Sequence, residues 1–236
     1  MLISLQSDEM VDESAFSKYS LQSAIYYILR DEGMGDYHNR KGFKFFSFSD
    51  FFPSGSLEKG KKVNFMFSSP NPEIVLHLKR GLQRTGVMYL NSSVLKVAGM
   101  ELFAISSRQN AFITGSPVVL YENNKQNVYF SFRDGGNFEF FLKRIKENAE
   151  KKYRAFTGND SFSLKGPIFD SFKFGKEVAV RLNKSGKNFL MIGTVWKMLR
   201  KEKIERNELD FYRFIIDAGI GEKNSLGFGF LNPLGA

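Results

Sequence analysis

With 236 residues and 42% hydrophobic content, the chain is long enough for one large domain or two modest ones around a real core, which excludes a disordered polypeptide. It has no cysteine and only two histidines, His38 and His77, so disulfides, thiolate metal sites and a multi-histidine metal centre are excluded together. The formal charge of +9 is uneven: residues 1–120 carry 13 Lys/Arg against 11 Asp/Glu, and residues 121–236 carry 21 against 14.

Met1 to Leu5 reads as a short strand, and Ser20 is expected to cap a helix whose apolar stripe is Leu21, Ala24, Ile25, Ile28 and Leu29, ended by Gly33 and Gly35. Phe43 to Phe48 and Val63 to Phe67 read as strands on either side of the turn-rich Pro53 to Lys62. A helix from Glu73 to Arg84 follows, then strands at Val94 to Leu102 and Val118 to Tyr121. This is a β-α-β-β-α-β order, the ferredoxin-like arrangement. A comparable order then repeats: a strand at Val128 to Phe132, a helix from Asn137 to Phe156, strand material between Phe162 and Leu182, a strand at Asn188 to Met198, a helix from Asn207 to Ala218 and a last strand. The expectation is an α+β protein of two tandem ferredoxin-like (RRM-like) domains, residues 1–121 and 127–236, with a C-terminal glycine-rich loop. No apolar run approaches the roughly 20 residues that span a bilayer, and no signal-type block opens the chain. A cytoplasmic protein without a membrane partner is expected.

Gly219-Ile-Gly-Glu-Lys-Asn-Ser-Leu-Gly-Phe-Gly229 sets two Gly-x-Gly pairs around a polar loop. Glycine is used where the backbone needs positive φ or approaches something closely, and successive N–H groups in such turns form an anion-binding concavity to which Lys223 adds charge. The competing reading is a helix terminator followed by a bulged strand. A dinucleotide fingerprint is excluded because the glycines follow a helix, and a nucleotide-triphosphate loop because no Gly-Lys-Ser/Thr triplet occurs. From Lys173 to Lys203, nine basic residues, among them Lys197 and Arg200, stand against two acidic ones. Such a strip either attracts a polyanion, with salt-dependent affinity, or is a solvated face.

His38 lies in a polar, glycine-flanked loop after the first helix, where a side chain is free to meet a substrate and its ordinary pKa suits proton transfer. His77, within the Glu73 to Arg84 helix, reads as structural. Tyr26 and Tyr27 flank the apolar stripe on opposite sides. Lys44 falls, by strand alternation, on the face of Phe46 and Phe48. A rival reading takes Lys41-Gly-Phe-Lys-Phe-Phe-Ser-Phe48 as a base-stacking strand of an RNA-recognition motif, which Lys44 breaks at the small-residue position.

Together these residues resemble the CRISPR-associated endoribonucleases that cut precursor CRISPR RNA within its repeats, the sixth Cas family of the RAMP superfamily. The resemblance rests on Gly219-x-Gly221 with Gly227-x-Gly229 and the intervening Glu-Lys-Asn-Ser-Leu. It also rests on Leu21-Gln22-x-x-Ile25-Tyr26, on His38 and on Lys44-Phe-Phe-Ser-Phe-Ser49. It implies Tyr26, His38 and Lys44 as catalytic residues. RNA contacts are expected from Gly219, Gly221, Lys223, Asn224, Ser225, Gly227 and Gly229, together with Lys197 and Arg200 from the strip. The implied chemistry is metal-independent transesterification, in which the 2′-OH attacks its own phosphorus and leaves a 2′,3′-cyclic phosphate and a 5′-OH. No metal and no cofactor is expected. The implied partners are the repeat RNA and a CRISPR effector complex, with the protein a monomer or homodimer. The alternative is a non-cleaving RNA-binding RAMP subunit, because the glycine loop is shared with such subunits while His38 argues for activity.

Overall fold

The protein is described here by a computed structural model covering residues 1–105, 109–184 and 186–234; the side chain of Lys184, one of the nine basic residues of the strip, lies outside the described ones. The first sheet contains β1 (Leu2–Gln6), β2 (Ser47–Phe48), β3 (Lys62–Ser68), β4 (Val87–Leu90) and β5 (Ser93–Glu101) in the order β2-β3-β1-β5-β4. Two helices, α1 (Lys18–Leu29) and α2 (Pro72–Thr85), complete the first unit. Alternation sets its inner face: Ile3 and Leu5 of β1 and Phe65 and Phe67 of β3 are fully buried beside the α1 stripe of Leu21, Ala24, Ile25, Ile28 and Leu29.

The helix starts follow local chemistry. Asn71 caps α2 through Glu73 N, with Pro72 in the first turn, where its missing N–H costs nothing. The cap of α1 is Ser17, whose hydroxyl accepts from Ser20 N, three residues before the expected start. Ser20 is buried and donates back to Ala15 O and Ser17 O, a bonding pattern that mimics a cap in sequence.

The second unit consists of β6 (Ala111–Thr114), α3 (Phe138–Thr157), β9 (Ser171–Lys184), β10 (Lys187–Arg200), α4 (Leu209–Ala218) and β11 (Leu231–Pro233). Its sheet order, β11-β6-β10-β9, is that of a ferredoxin-like β-α-β-β-α-β unit. Between β6 and α3 lies a small hairpin of β7 (Tyr121–Asn123) and β8 (Val128–Tyr129). Residues 111–121 were expected in the first half and Val128 to Phe132 as the opening strand of the second, but β6 pairs with β10 and β11 and opens the second sheet. Ala111-Phe-Ile-Thr114 is short and packed on both sides, so it lacks the alternation that marks a half-exposed strand. Val118 to Tyr121 forms isolated bridges, Val118 to Thr194 and Val119 to Glu222, rather than a strand of the first sheet.

Each sheet has its own core, and a third cluster joins them. Leu226 and Phe228 pack with Val119, Leu182 and Met191, and Tyr19 of α1 closes the cluster from the first unit. Phe45 ties the units a second time. Its ring sits 5.2 Å from Phe156 of α3 and 6.1 Å from Phe214 of α4, centroid to centroid. Phe45 adopts φ 47°, so the expected strand from Phe43 is reduced to Ser47–Phe48. Partial burial of the ring contributes on the order of 1 kcal/mol, of the size of the left-handed penalty of roughly 1–2 kcal/mol.

Candidate active site

Tyr26 is half-buried on the flank of α1, against the ring of Phe46 at 5.6 Å; Tyr27, on the other flank, is largely exposed. After α1 the chain turns through Gly33 at φ 89° and then through a short 3-10 turn, Gly35–Tyr37. Tyr37 is buried in the first core and pins this loop, its hydroxyl donating to Lys44 O. His38, the next residue, is exposed, and its ring meets that of Tyr26 edge to face with centroids 4.6 Å apart. Its Nδ1 lies 3.2 Å from Asn39 Oδ1.

Lys44 is half-buried, and its Nζ donates to Tyr37 O at 3.0 Å and to Arg40 O. It therefore braces the loop that carries His38. Strand alternation placed Lys44 with Phe46 and Phe48, but the positive φ of Phe45 reverses the chain between them. Phe46 and Phe48 face the core at 0% and 1% exposure. By alternation the rings that a stacking strand would show to a base are Phe43 and Phe45; Phe45 instead packs against Phe156 and Phe214, and only Ser47–Phe48 is a strand.

Gly219, Gly221, Gly227 and Gly229 all have φ between 68° and 82°. A Cβ at Gly227 would lie 2.2 Å from the Phe48 ring, and one at Gly229 would lie 1.8 Å from Ile220 O. At these two positions the close approach that demands glycine is to the protein itself. Three side chains hold the loop by its oxygens. From α1, Lys18 donates to Gly227 O, and Gln22 donates to Ser225 O at 2.8 Å. From α3, Lys152 donates to Gly219 O at 2.6 Å, Gly221 O at 3.2 Å and Asn224 Oδ1 at 2.7 Å. The Asn224 amide in turn donates to Ile220 O and Phe228 O, both at 2.9 Å.

Glu222, Lys223, Asn224 and Ser225 at the tip stay at least partly open. They line a cavity of about 190 Å³ together with Lys44, Lys152 and Phe45. The Ser225 side chain lies beside the Tyr26 phenol, and the Ser225 carbonyl is tied to Gln22, one turn before Tyr26 on α1. The structure thus gathers Tyr26, His38, Lys44 and the loop tip around one place. Lys197 and Arg200 lie elsewhere. Val118 and Val119 link the loop to β10, bridging Thr194 and Glu222, and at about 3.3 Å per residue Lys197 and Arg200 are roughly 10 and 20 Å farther along β10.

Burial sets the protonation of the site. The Tyr26 phenol is pushed up to about 12 by burial, against which the neighbouring Ser225 side chain pulls down. The Lys44 ammonium is pulled below its ordinary value by burial and by the neighbouring Arg40 charge. Among the described residues, no group of three or more His, Asp or Glu is gathered as a metal site, and no helix is long and apolar enough to cross a membrane.

Sequence reasoning missed Lys152. The signal was present, since Phe141, Ile145, Ala149 and Lys152 fall on one face of α3 at i, i+4, i+8 and i+11, which puts a lysine on the buried stripe.

The model of the CRISPR-associated protein Cas6 C-terminal family matches residues 100–233. The chain is 42% identical over 224 residues to the CRISPR-associated endoribonuclease Cas6 2 of Methanocaldococcus jannaschii, covering 92% of each chain. A solved CRISPR-associated protein Cas6 superposes with TM-score 0.73 at 25% identity over 99% of this chain and 98% of that one. A Cas6 product complex shares the fold with TM-score 0.66 at 15% identity, over 99% and 98%. Two ferredoxin-like units, the clustered tyrosine, histidine and lysine, and these similarities agree: the chain belongs to the Cas6 family of CRISPR-associated endoribonucleases.

Proposed function

We propose that this protein cuts precursor CRISPR RNA within its repeats by metal-independent transesterification, with Tyr26, His38 and Lys44 carrying the chemistry and the loop tip Lys223–Ser225 holding the RNA. The observation that carries this reading is the edge-to-face meeting of Tyr26 and His38 at 4.6 Å, beside the cavity that Lys44 shares with the tip.

RNA supplies its own nucleophile. The 2′-OH attacks the adjacent phosphorus, the P–O5′ bond breaks, one proton leaves the 2′-oxygen and one arrives at the 5′-oxygen. A neutral imidazole takes a proton at cellular pH without help, and His38 is exposed enough to reach the 2′-OH. A phenol held near 12 keeps its proton and is a donor rather than a ready base, so Tyr26 is assigned the leaving-group side. Tyr37 O and Arg40 O take two of the three N–H groups of Lys44, and the third serves the charge that builds on the non-bridging oxygens. The partners that follow are the repeat RNA and, downstream, an effector complex that receives the product, with the protein acting as a monomer or homodimer.

The test is incubation with labelled repeat RNA in excess EDTA, alongside RNA carrying one 2′-deoxy substitution at the cut. Cleavage that survives EDTA and stops with the deoxy substitution is the expected result. Binding of the repeat without any cleavage would favour the non-cleaving RAMP-subunit reading instead.

A further inference from the structure

We infer that Lys152 is a positioning residue for cleavage: from α3 of the second unit it fixes the glycine loop so that Ser225 meets Tyr26 of the first unit. This rests on the reading of Tyr26 as part of the reacting centre.

Lys152 is 3% exposed, and a buried ammonium is costly unless its donors are met. Here they are met completely. Three N–H groups face three acceptors, Gly219 O, Gly221 O and Asn224 Oδ1. Glu150, two residues earlier on α3, pairs with Lys146 and Arg154 instead, so the loop oxygens are what hold the Lys152 ammonium. Burial presses its pKa down to about 7 while Glu222 pulls it up, so the cost of keeping this charge is real. Methionine or leucine would fill the stripe of α3 without that cost.

The relay is short. Asn224 is held on its oxygen by Lys152 and on its amide by Ile220 O and Phe228 O, so neither its side chain nor its backbone is free to turn. The next residue, Ser225, is tied by its carbonyl to Gln22 at 2.8 Å, one helical turn before Tyr26 on α1, which sets its side chain beside the Tyr26 phenol. Lys152 and Ser225 also border the same cavity as Lys44. Removing the ammonium leaves three inward-facing oxygens unmet and lets Asn224 and Ser225 shift. A displacement of about 1 Å of a positioning group costs on the order of a hundredfold in rate. Repeat affinity falls as well, because the loop tip is a proposed RNA contact, but by less than the rate, since exposed cations elsewhere carry most of it.

The experiment compares wild type with Lys152→Met and Lys152→Gln by three measurements: single-turnover cleavage of repeat RNA, equilibrium repeat binding, and amide hydrogen exchange of residues 219–226. The expected result for both variants is a ten- to hundredfold slower cleavage rate at saturating RNA, a smaller loss of repeat affinity, and faster exchange confined to the loop, with Gln the milder. Wild-type exchange in the loop of a folded variant overturns the inference without reference to cleavage. A loosened loop with an unchanged cleavage rate overturns it as well. If Met does not fold, Gln, which keeps two donors without the charge, decides. A wild type that never cuts the repeat sinks the proposed function instead, and the exchange arm then still reports whether Lys152 fixes the loop.

Discussion

Gly227 of the glycine-rich loop lies flat on the ring of Phe48 from the first sheet, so closely that a Cβ at Gly227 would stand 2.2 Å from Cε2 of that ring. The contact makes the loop a rivet between the two ferredoxin-like units, with Lys18 pinning the Gly227 carbonyl and standing 4.5 Å over the neighbouring Phe228 ring.

Gly227→Ala is therefore expected to destabilise the fold by about 3 kcal/mol, from a left-handed backbone at φ 82° and an overpacked ring. Thermal and urea unfolding check this. A loss below about 0.5 kcal/mol would mean that the rivet yields without strain.

His38→Ala removes an exposed ring with no buried role, so melting temperature and repeat affinity should match wild type while single-turnover cleavage falls by a factor of about 10²–10⁴. Equal cutting by the variant would remove His38 from the chemistry.

Asp217 reports on the junction by pH. Burial raises its carboxyl to about 6 from an ordinary 3.8, with the Met1 ammonium acting against the rise. The folded state holds the proton more tightly than the unfolded chain does, so the charged carboxylate opposes folding above about pH 6 and this opposition disappears as pH falls below 4. Asp217→Asn should be more stable than wild type by up to about 3 kcal/mol at pH 7.5, and most of the gain should vanish in melts at pH 4. A gain independent of pH would assign the effect to something other than this charge.

Charge reversal at Lys197 and Arg200, both exposed on β10, should weaken repeat binding and flatten its salt dependence by a slope of about 1.4 for two lost phosphate contacts. Because both lie well along β10 from the loop, the cleavage rate at saturating RNA should not change. Unchanged affinity across a salt titration would exclude the strip as an RNA contact.

Much of the fold was legible in local pattern. The α1 stripe, Asn71 and Pro72 at the start of α2, and Asn137 and Gly158 bounding α3 are short-range choices of side chain and backbone that any fold would have to respect. The glycine spacing at the C-terminus and the order of histidine and lysine after the first helix were legible too, and they carried the family resemblance. Hidden from local pattern were the features set by partners far away in the chain. Strand β6 is defined by β10 and β11, its own four residues showing no alternation.

The amino-acid order alone thus determined which residues are able to do proton chemistry and roughly where the helices lie, because those depend on side-chain type and neighbours within a few positions. Tertiary structure decided the rest. It turned Phe45 into the other core and so moved Lys44 off the expected face and onto the loop of His38. It also spent the loop glycines on contact with the protein, and it made Lys152 the hidden support of that loop. These outcomes depend on contacts between residues tens to hundreds of positions apart, whose energies arise only when the two units pack.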